Sequence, residues 1–147
     1  MNIPFLDAWR RRHGEERSRA LVTAAVMADP EGITELLSEC GLLRSRAQES
    51  GVRLDDTPRS LQAVDQLPPR WRDDPEELPS LGNDAGLYLG TVIVRTVPGA
   101  AWHVWPGGQP VVRLGSGREI DVVGAGLEWA MSGSPELSQV YAEAAEG

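Results

Sequence analysis

Apolar residues recur at steps of three and four between positions 29 and 51, which is the spacing of a helix with one buried face. Asp29-Pro30-Glu31 is a typical helix start, because aspartate can cap free N–H groups and proline is favoured at the first helical position. Gly51 is a typical stop. The pattern therefore predicts one helix with a buried stripe of Ile33, Leu36, Leu37, Cys40, Leu43 and Ala47, in which the thiol is inert.

A second helix is predicted after Asp56-Thr57-Pro58, which follows a short extended stretch at 52–54. Pro68-Pro69 ends this helix. Its inward-facing residues are Leu61, Val64 and Leu67. From 68 to 79 the chain is rich in proline, arginine and acids, which predicts a surface excursion around Trp71.

The acidic residues of this excursion are of the types that form catalytic carboxylate pairs. Asp74-Pro75-Glu76-Glu77, however, again has the order of a helix cap. We therefore interpret these acids, with Asp73, as a solvated cap.

Residues 83–97 fit two structures, since the β-branched residues near the end favour a strand whereas Gly86 and Gly90 lie on one face of a helix. We predict a helix capped by Asn83 or Asp84. Its two glycines would let a neighbouring backbone approach closely.

Short extended runs follow, joined by glycine-rich segments that suit hairpin turns. The runs lie at 101–105, 111–114 and 119–123. A short helix over 124–132 and a last helix capped by 134–136 complete the chain. The sequence therefore predicts an α+β fold, with amphipathic helices packed on a small antiparallel three-stranded meander.

The length of 147 residues suits one domain, which we place at 29–147, with 1–28 as a basic N-terminal appendage. If residues 4–13 were helical, the apolar residues near the start of the chain would share one side, with an arginine triplet behind them. Such a pattern can lie on an anionic membrane surface, or can belong to a tail that docks on its own domain or stays disordered. The residues concerned are Phe5, Leu6, Trp9, Arg10, Arg11 and Arg12.

A net charge of −8 argues against nucleic acid as a partner, because phosphate binding needs clustered positive charge. The single cysteine excludes an internal disulfide, and no run is apolar enough to span a membrane, so we expect a cytoplasmic protein. All 14 basic residues are arginine, which suits a GC-rich genome and excludes lysine chemistry such as a Walker A loop or a Schiff base. With one cysteine and two histidines, we expect neither a Cys/His zinc site nor a cofactor.

A mixed-charge surface is predicted on the meander. A three-residue loop at 115–117 would pair Arg113 with Glu119, and Asp121 follows on the same face. His103 and Trp105 share one face of the neighbouring strand. We interpret these side chains as a surface for a ligand or partner; the alternative is an ordinary solvated face with a cross-strand ion pair.

The sequence therefore favours a non-catalytic protein-interaction or regulatory module, since the enzyme signatures tested are missing. Three alternatives stay open: a peripheral membrane protein that binds through residues 3–12, an immunity-type antidote that masks a basic toxin, and a small enzyme with His103 as a base. The expected partner is another protein, and the sequence leaves the oligomeric state open.

The run from Asp84 to Arg95, reading DAGLYLGTVIVR, is followed by Trp102 and by the hairpin residues 110–114. With the upstream run 54–65, this arrangement resembles small actinobacterial domains of unknown function, over about residues 30–145. The resemblance implies an α+β fold and a helix at 83–97. It implies no active site.

Overall fold

The computed structural model describes residues 37–67 and 74–147, which form five helices and three strands. In chain order the elements are α1 Gly41–Glu49, α2 Pro58–Val64, α3 Leu78–Thr96, β1 Ala101–Val104, β2 Pro110–Arg113, β3 Glu119–Ile120, α4 Val122–Ser132 and α5 Leu137–Glu146. The strands form one antiparallel sheet in the order β1-β2-β3. The predicted α+β class with a three-stranded meander is therefore confirmed.

Several predictions lie outside the described residues. These are the amphipathic tail with Phe5, Leu6, Trp9, Arg10, Arg11 and Arg12, the helix start at Asp29, and the stretch 68–73 with Trp71 and Asp73. They stay predictions.

The helix predicted at 83–97 is present and begins earlier, at Leu78. α3 is buried along most of its length and is the element on which the other helices and the sheet pack. Gly86 meets the backbone of α4, as predicted for a close approach, whereas Gly90 accommodates the ring of Trp102. The helix is buried on all sides, and this packing outweighs the preference of its β-branched residues for a strand.

The single helix predicted up to Gly51 is wrong, because the chain turns at Ser38 and α1 begins only at Gly41. Cys40 adopts a left-handed conformation with φ 42° and ψ 46°, so it lies at the N-terminus of α1 and not on a continuous stripe. It is nevertheless buried. Burial, with the nearby Asp84 carboxylate, raises the pKa of the thiol, which keeps it protonated.

Side chains satisfy both ends of this break. The Asp84 carboxylate accepts hydrogen bonds from the N–H groups of Leu42 and Leu43, each at 3.1 Å. The Arg44 guanidinium donates to the carbonyl oxygens of Ser38 and Glu39 at 2.9–3.2 Å. Because free N–H and C=O groups are what make a helix end unfavourable, these contacts explain how the chain breaks here.

The same contacts overturn the cap predicted for α3. Asn83 and Asp84 are both buried in the body of that helix, and neither caps it. Asp84 instead caps α1 from a distance in sequence of about 40 residues. The cap predicted for α2 is confirmed, since the Thr57 side chain accepts from the Ser60 N–H at 3.3 Å.

A buried hydroxyl holds the segment between α1 and α2. The Tyr88 hydroxyl accepts from the Asp56 N–H at 2.9 Å and lies 2.6 Å from the Ser60 hydroxyl. The Asp56 carboxylate lies 3.4 Å from both Arg44 and Arg95. No strand forms at 52–54, where an extended stretch was predicted.

The last helix is also capped from afar. The cap predicted at 134–136 makes no side-chain bond to the start of α5. Asp65, just after α2, accepts from the Leu137 N–H at 2.7 Å, the Ser138 N–H at 3.1 Å and the Ser138 hydroxyl at 2.6 Å. One carboxylate therefore joins α2 to α5.

Replacing Asp65 with alanine is expected to lower the free energy of unfolding by about 1–2 kcal/mol, the usual effect of removing a helix cap. Urea denaturation followed by circular dichroism measures the change. Asp74→Ala is the matched control, because that residue is exposed and its side chain makes no hydrogen bond within the described residues. Equal stabilities of the two variants would contradict the cap.

The inner face of the sheet packs on the core, whereas the outer face is partly exposed, with Val111 buried beneath its neighbours. Trp102, Val112 and Ile120 lie on the inner face and belong to the hydrophobic core with α3 and α4. Residues of opposite parity lie on the outer face. β3 has only two residues, whereas a strand was predicted over 119–123, because α4 begins at Val122.

Candidate interaction surface

Four side chains predicted as a partner surface meet on the outer face of the sheet: His103, Trp105, Arg113 and Glu119. We call them the outer-face cluster. Arg113 is directly opposite Glu119 in the β2–β3 pair, as the loop length predicted. The side chains of His103, Arg113 and Glu119 are 29–49% exposed, so the cluster can be reached from solvent.

Glu119 holds the cluster together. Its Oε2 accepts from Arg113 Nη2 at 3.0 Å, and its Oε1 accepts from Trp105 Nε1 at 3.2 Å. His103 Nε2 lies 3.0 Å from Arg113 Nη2 and 3.5 Å from Glu119 Oε2. Three strands thus contribute to one hydrogen-bonded group of aromatic and charged side chains.

The Arg113 hydrogen bond lowers the pKa of Glu119, with the Trp105 N–H acting in the same direction. Glu119 is therefore ionised at neutral pH and matches the charge of Arg113. Arg113 makes both of these contacts through Nη2, so its Nε–H and Nη1 N–H groups have no hydrogen bond within the described chain. These donors are available to acceptors on a partner.

The geometry does not favour His103 as a general base. Arginine keeps its charge in proteins and can only donate, so His103 Nε2 accepts the Arg113 hydrogen bond. The Nε2 lone pair that would take a proton from a substrate is already in use.

Asp121, predicted on the same face, takes another role. Its carboxylate accepts from the Gly124 N–H at 2.9 Å and caps α4. It also accepts a short hydrogen bond from Gln109 Nε2. Asp121 therefore lies beside the outer-face cluster and anchors the hairpin loop without a hydrogen bond to the cluster within the described chain.

A shallow cavity of about 330 Å³ lies elsewhere, lined by Arg44, Gln48, Gly51, Val52, Arg53 and Leu54. Its most buried charge, Arg44, already donates to the carbonyl oxygens of Ser38, Glu39 and Leu54. The lining contains no nucleophile or acid–base pair. This cavity therefore offers less chemistry than the outer-face cluster.

Within residues 37–67 and 74–147, no group of three or more His, Cys, Asp or Glu side chains could hold a metal ion. Nor does any helix in those ranges have the length and apolar content to cross a membrane.

The sequence indicated which residues share a face, but it did not predict the hydrogen bonds that fix them. The Trp105–Glu119 and Gln109–Asp121 bonds join residues 14 and 12 positions apart, across two hairpins. Alternation of faces along each strand was the only available signal. It indicates on which face a side chain lies, but not which other side chains it contacts.

A family model described as a family of unknown function (DUF6278) matches residues 1–147. Comparison with curated proteins and with solved structures gives no significant match.

Proposed function

The chain belongs to this family of unknown function, and we propose that it is a non-catalytic protein-interaction module that binds its partner through the outer-face cluster. One observation carries the proposal: Trp105, which follows β1, and one side chain from each of the three strands form an exposed group whose polar atoms already pair with one another. We further propose that the protein lies in the cytoplasm of an actinobacterium. Its lysine-free composition suits the GC-rich genome of such an organism.

Preorganisation supports binding by this surface. Long side chains lose rotamer freedom when an interface forms, which weakens binding. Here Glu119 holds Trp105 and Arg113 in place before a partner arrives. Trp and Arg are also the residue types most enriched among side chains that dominate interface energies.

The chemistry of the cluster also limits what the partner presents. The unused Nε–H and Nη1 donors of Arg113 suit carboxylate or carbonyl oxygens, and the indole of Trp105 suits an apolar or aliphatic contact. The carboxylate of Glu119 is already satisfied by two donors. We expect a partner surface with an acceptor next to an apolar side chain.

Replacing Arg113 with alanine is expected to weaken partner binding at least about tenfold, because it removes the free donors and releases Glu119. Arg59→Ala is the matched control, since Arg59 is exposed on α2 and its side chain makes no hydrogen bond or ion pair within the described residues. A photoactivatable residue at Ser116 captures the partner from native cytoplasm, with one at Gln139 as the control position. Lysine-directed reagents would not report these surfaces in a lysine-free chain.

The expected result is one protein crosslinked from position 116, absent from position 139, and reduced by Arg113→Ala alone. Equal capture with Arg113→Ala and Arg59→Ala would overturn the proposed surface. Melting curves of both variants separate a loss of binding from a loss of folding.

The alternative of membrane binding through residues 3–12 rests on side chains outside the described ranges. Cosedimentation with anionic vesicles, comparing the full chain with one that lacks residues 1–28, tests that alternative separately. An antidote function would need the acidic body to bind a basic toxin, and such binding would weaken with salt. Neither alternative has a described group of side chains comparable to the outer-face cluster.

A further inference from the structure

Within the described residues, one edge of β1 carries main-chain groups without a hydrogen bond. The Trp105 N–H donates to the Gln109 carbonyl at 3.0 Å, and the register pairs Ala101 with Arg113 and His103 with Val111. Hydrogen-bonded and non-hydrogen-bonded pairs alternate along an antiparallel ladder. The main-chain groups of Trp102 and Val104 therefore point away from β2, toward the edge of the sheet.

No residue of the described chain bonds these edge groups. Natural proteins protect such edges with charges, prolines or covering elements, because an open edge can add another strand. β1 reads Ala-Trp-His-Val and contains neither a proline nor an Asp, Glu, Lys or Arg. Its length of four residues keeps an added pairing short.

We propose that β1 pairs with β1 of a second copy of this chain, antiparallel and about a two-fold axis. The edge groups of both copies face each other, and in the register we propose Trp102 pairs with Val104 of the second copy, and the reverse. Each of these two pairs exchanges two main-chain hydrogen bonds. His103 then lies on the axis, directly opposite His103 of the second copy.

Side-chain size favours a second copy as the occupant. In this register the small, exposed Ala101 lies opposite Trp105 of the second copy, whose indole is held towards Glu119 of its own sheet, so this pair does not clash. On the inner face, Trp102 and Val104 meet their counterparts and extend the apolar layer across the axis. The charged residues nearest the edge, Arg113 and Glu119, neutralise each other and do not repel the second copy.

The pairing joins two sheets into one of six strands and brings the two outer-face clusters onto one surface. Four main-chain hydrogen bonds make a small interface compared with the usual area of a stable dimer. We therefore expect a reversible dimer with a dissociation constant weaker than about 1 μM.

Cysteine crosslinking of the full chain tests the register. His103→Cys places two thiols directly opposite each other, where Cβ atoms of non-hydrogen-bonded pairs are about 4.5–5.5 Å apart and small shifts allow a disulfide. Ala101→Cys is the matched control on the same face of the same strand. Its two thiols would be four residues apart along the strand, about 13 Å, which is too far to bridge.

Under mild oxidation at about 100 μM protein, we expect His103→Cys to form a covalent dimer at least tenfold faster than Ala101→Cys. Cys40 is buried and does not compete. Equal rates, or no dimer from either variant, would overturn the proposal. Circular dichroism establishes that both variants are folded.

A second measurement uses charge. His103→Arg puts two cations opposite each other on the axis and is expected to shift the sedimentation equilibrium toward monomer, whereas Ser116→Arg adds the same charge on the exposed turn and is not. The dimer is independent of the proposed function. Arg113→Ala is expected to weaken partner binding at least about tenfold, while in that background His103→Cys still crosslinks faster than Ala101→Cys, so the two ideas fail separately.

Discussion

Gly86→Ala is expected to lower the free energy of unfolding by more than about 3 kcal/mol, enough to unfold much of the protein. A methyl group at Gly86 would lie 2.3 Å from the carbonyl oxygen of Val122 and 2.6 Å from Cα of Val123. Both are backbone atoms, so no side-chain rotation can relieve the clash. α4 would have to move off α3 and take the buried Trp129 with it.

Gly126 makes the reciprocal contact from α4. A methyl group there would lie 2.2 Å from the carbonyl oxygen of Gly82 and 2.4 Å from the backbone nitrogen of Gly86. Gly126→Ala is therefore expected to be as damaging as Gly86→Ala. The two helices are in contact through their backbones, which only glycine permits.

Gly41→Ala is the matched control for this prediction. Gly41 is helical and has no atom near its missing methyl group. Alanine is favoured over glycine in a helix by up to about 1 kcal/mol, so this variant is expected to be as stable as the natural chain or slightly more stable. Urea denaturation of all three variants measures the difference. A Gly86→Ala chain within about 1 kcal/mol of the natural one would contradict the close packing.

Signals local in sequence predicted most of the fold. Thr57 and Pro58 start α2 because a hydroxyl cap and a fixed φ act within one turn. The turn at 115–117 set the register of Arg113 with Glu119, since a hairpin loop of known length leaves little choice of pairing. These predictions needed no knowledge of where distant residues lie.

Errors in the prediction arose where a distant residue decides the outcome. The break before Gly41 depends on Asp84, which is 41 residues from Leu43, and the start of α5 depends on Asp65, which is 72 residues from Leu137. From sequence alone, a carboxylate near a proline or an asparagine is interpreted as the cap of its own helix. Nothing in the local pattern distinguishes a residue that caps its own helix from one that caps another.

The candidate site shows the same division. Alternation along the strands placed His103, Trp105, Arg113 and Glu119 on one face, and the structure brings them together. Asp121 follows the same alternation, but β3 ends at Ile120 and α4 begins at Val122. The Asp121 carboxylate therefore caps α4. The position at which a strand ends is set by packing on α3 and α4, which periodicity does not report.

The proposed dimer and the proposed partner surface involve the same face of the sheet. If β1 edges pair, each dimer presents two outer-face clusters related by a two-fold axis, with His103 at the centre. A partner with matching symmetry, or with two copies of one segment, would then bind with the added strength of a double attachment. A monomeric chain would bind the same partner through one cluster and less tightly.

Asp84→Ala is expected to lower the free energy of unfolding by about 2–4 kcal/mol, because it leaves the N–H groups of Leu42 and Leu43 without an acceptor at a helix start. Asp84 is only 4% exposed, so water cannot readily replace it. Asp84→Asn keeps one acceptor oxygen and is expected to lose less. Chemical denaturation at neutral pH ranks the three chains, and an alanine variant as stable as the natural chain would contradict this cap.

The pH dependence of the same comparison tests the charge. Burial raises the pKa of Asp84 above its ordinary value of 3.8, and the hydrogen bonds from Leu43 and Leu42 oppose this only in part. Between 3.8 and the raised value the folded chain binds more protons than the unfolded one, so the free energy of unfolding falls as pH rises through that window. Measured against Asp84→Asn, which does not titrate, the natural chain should therefore lose stability with rising pH there and level off above it. The opposite slope would mean that the two N–H donors stabilise the carboxylate by more than burial destabilises it.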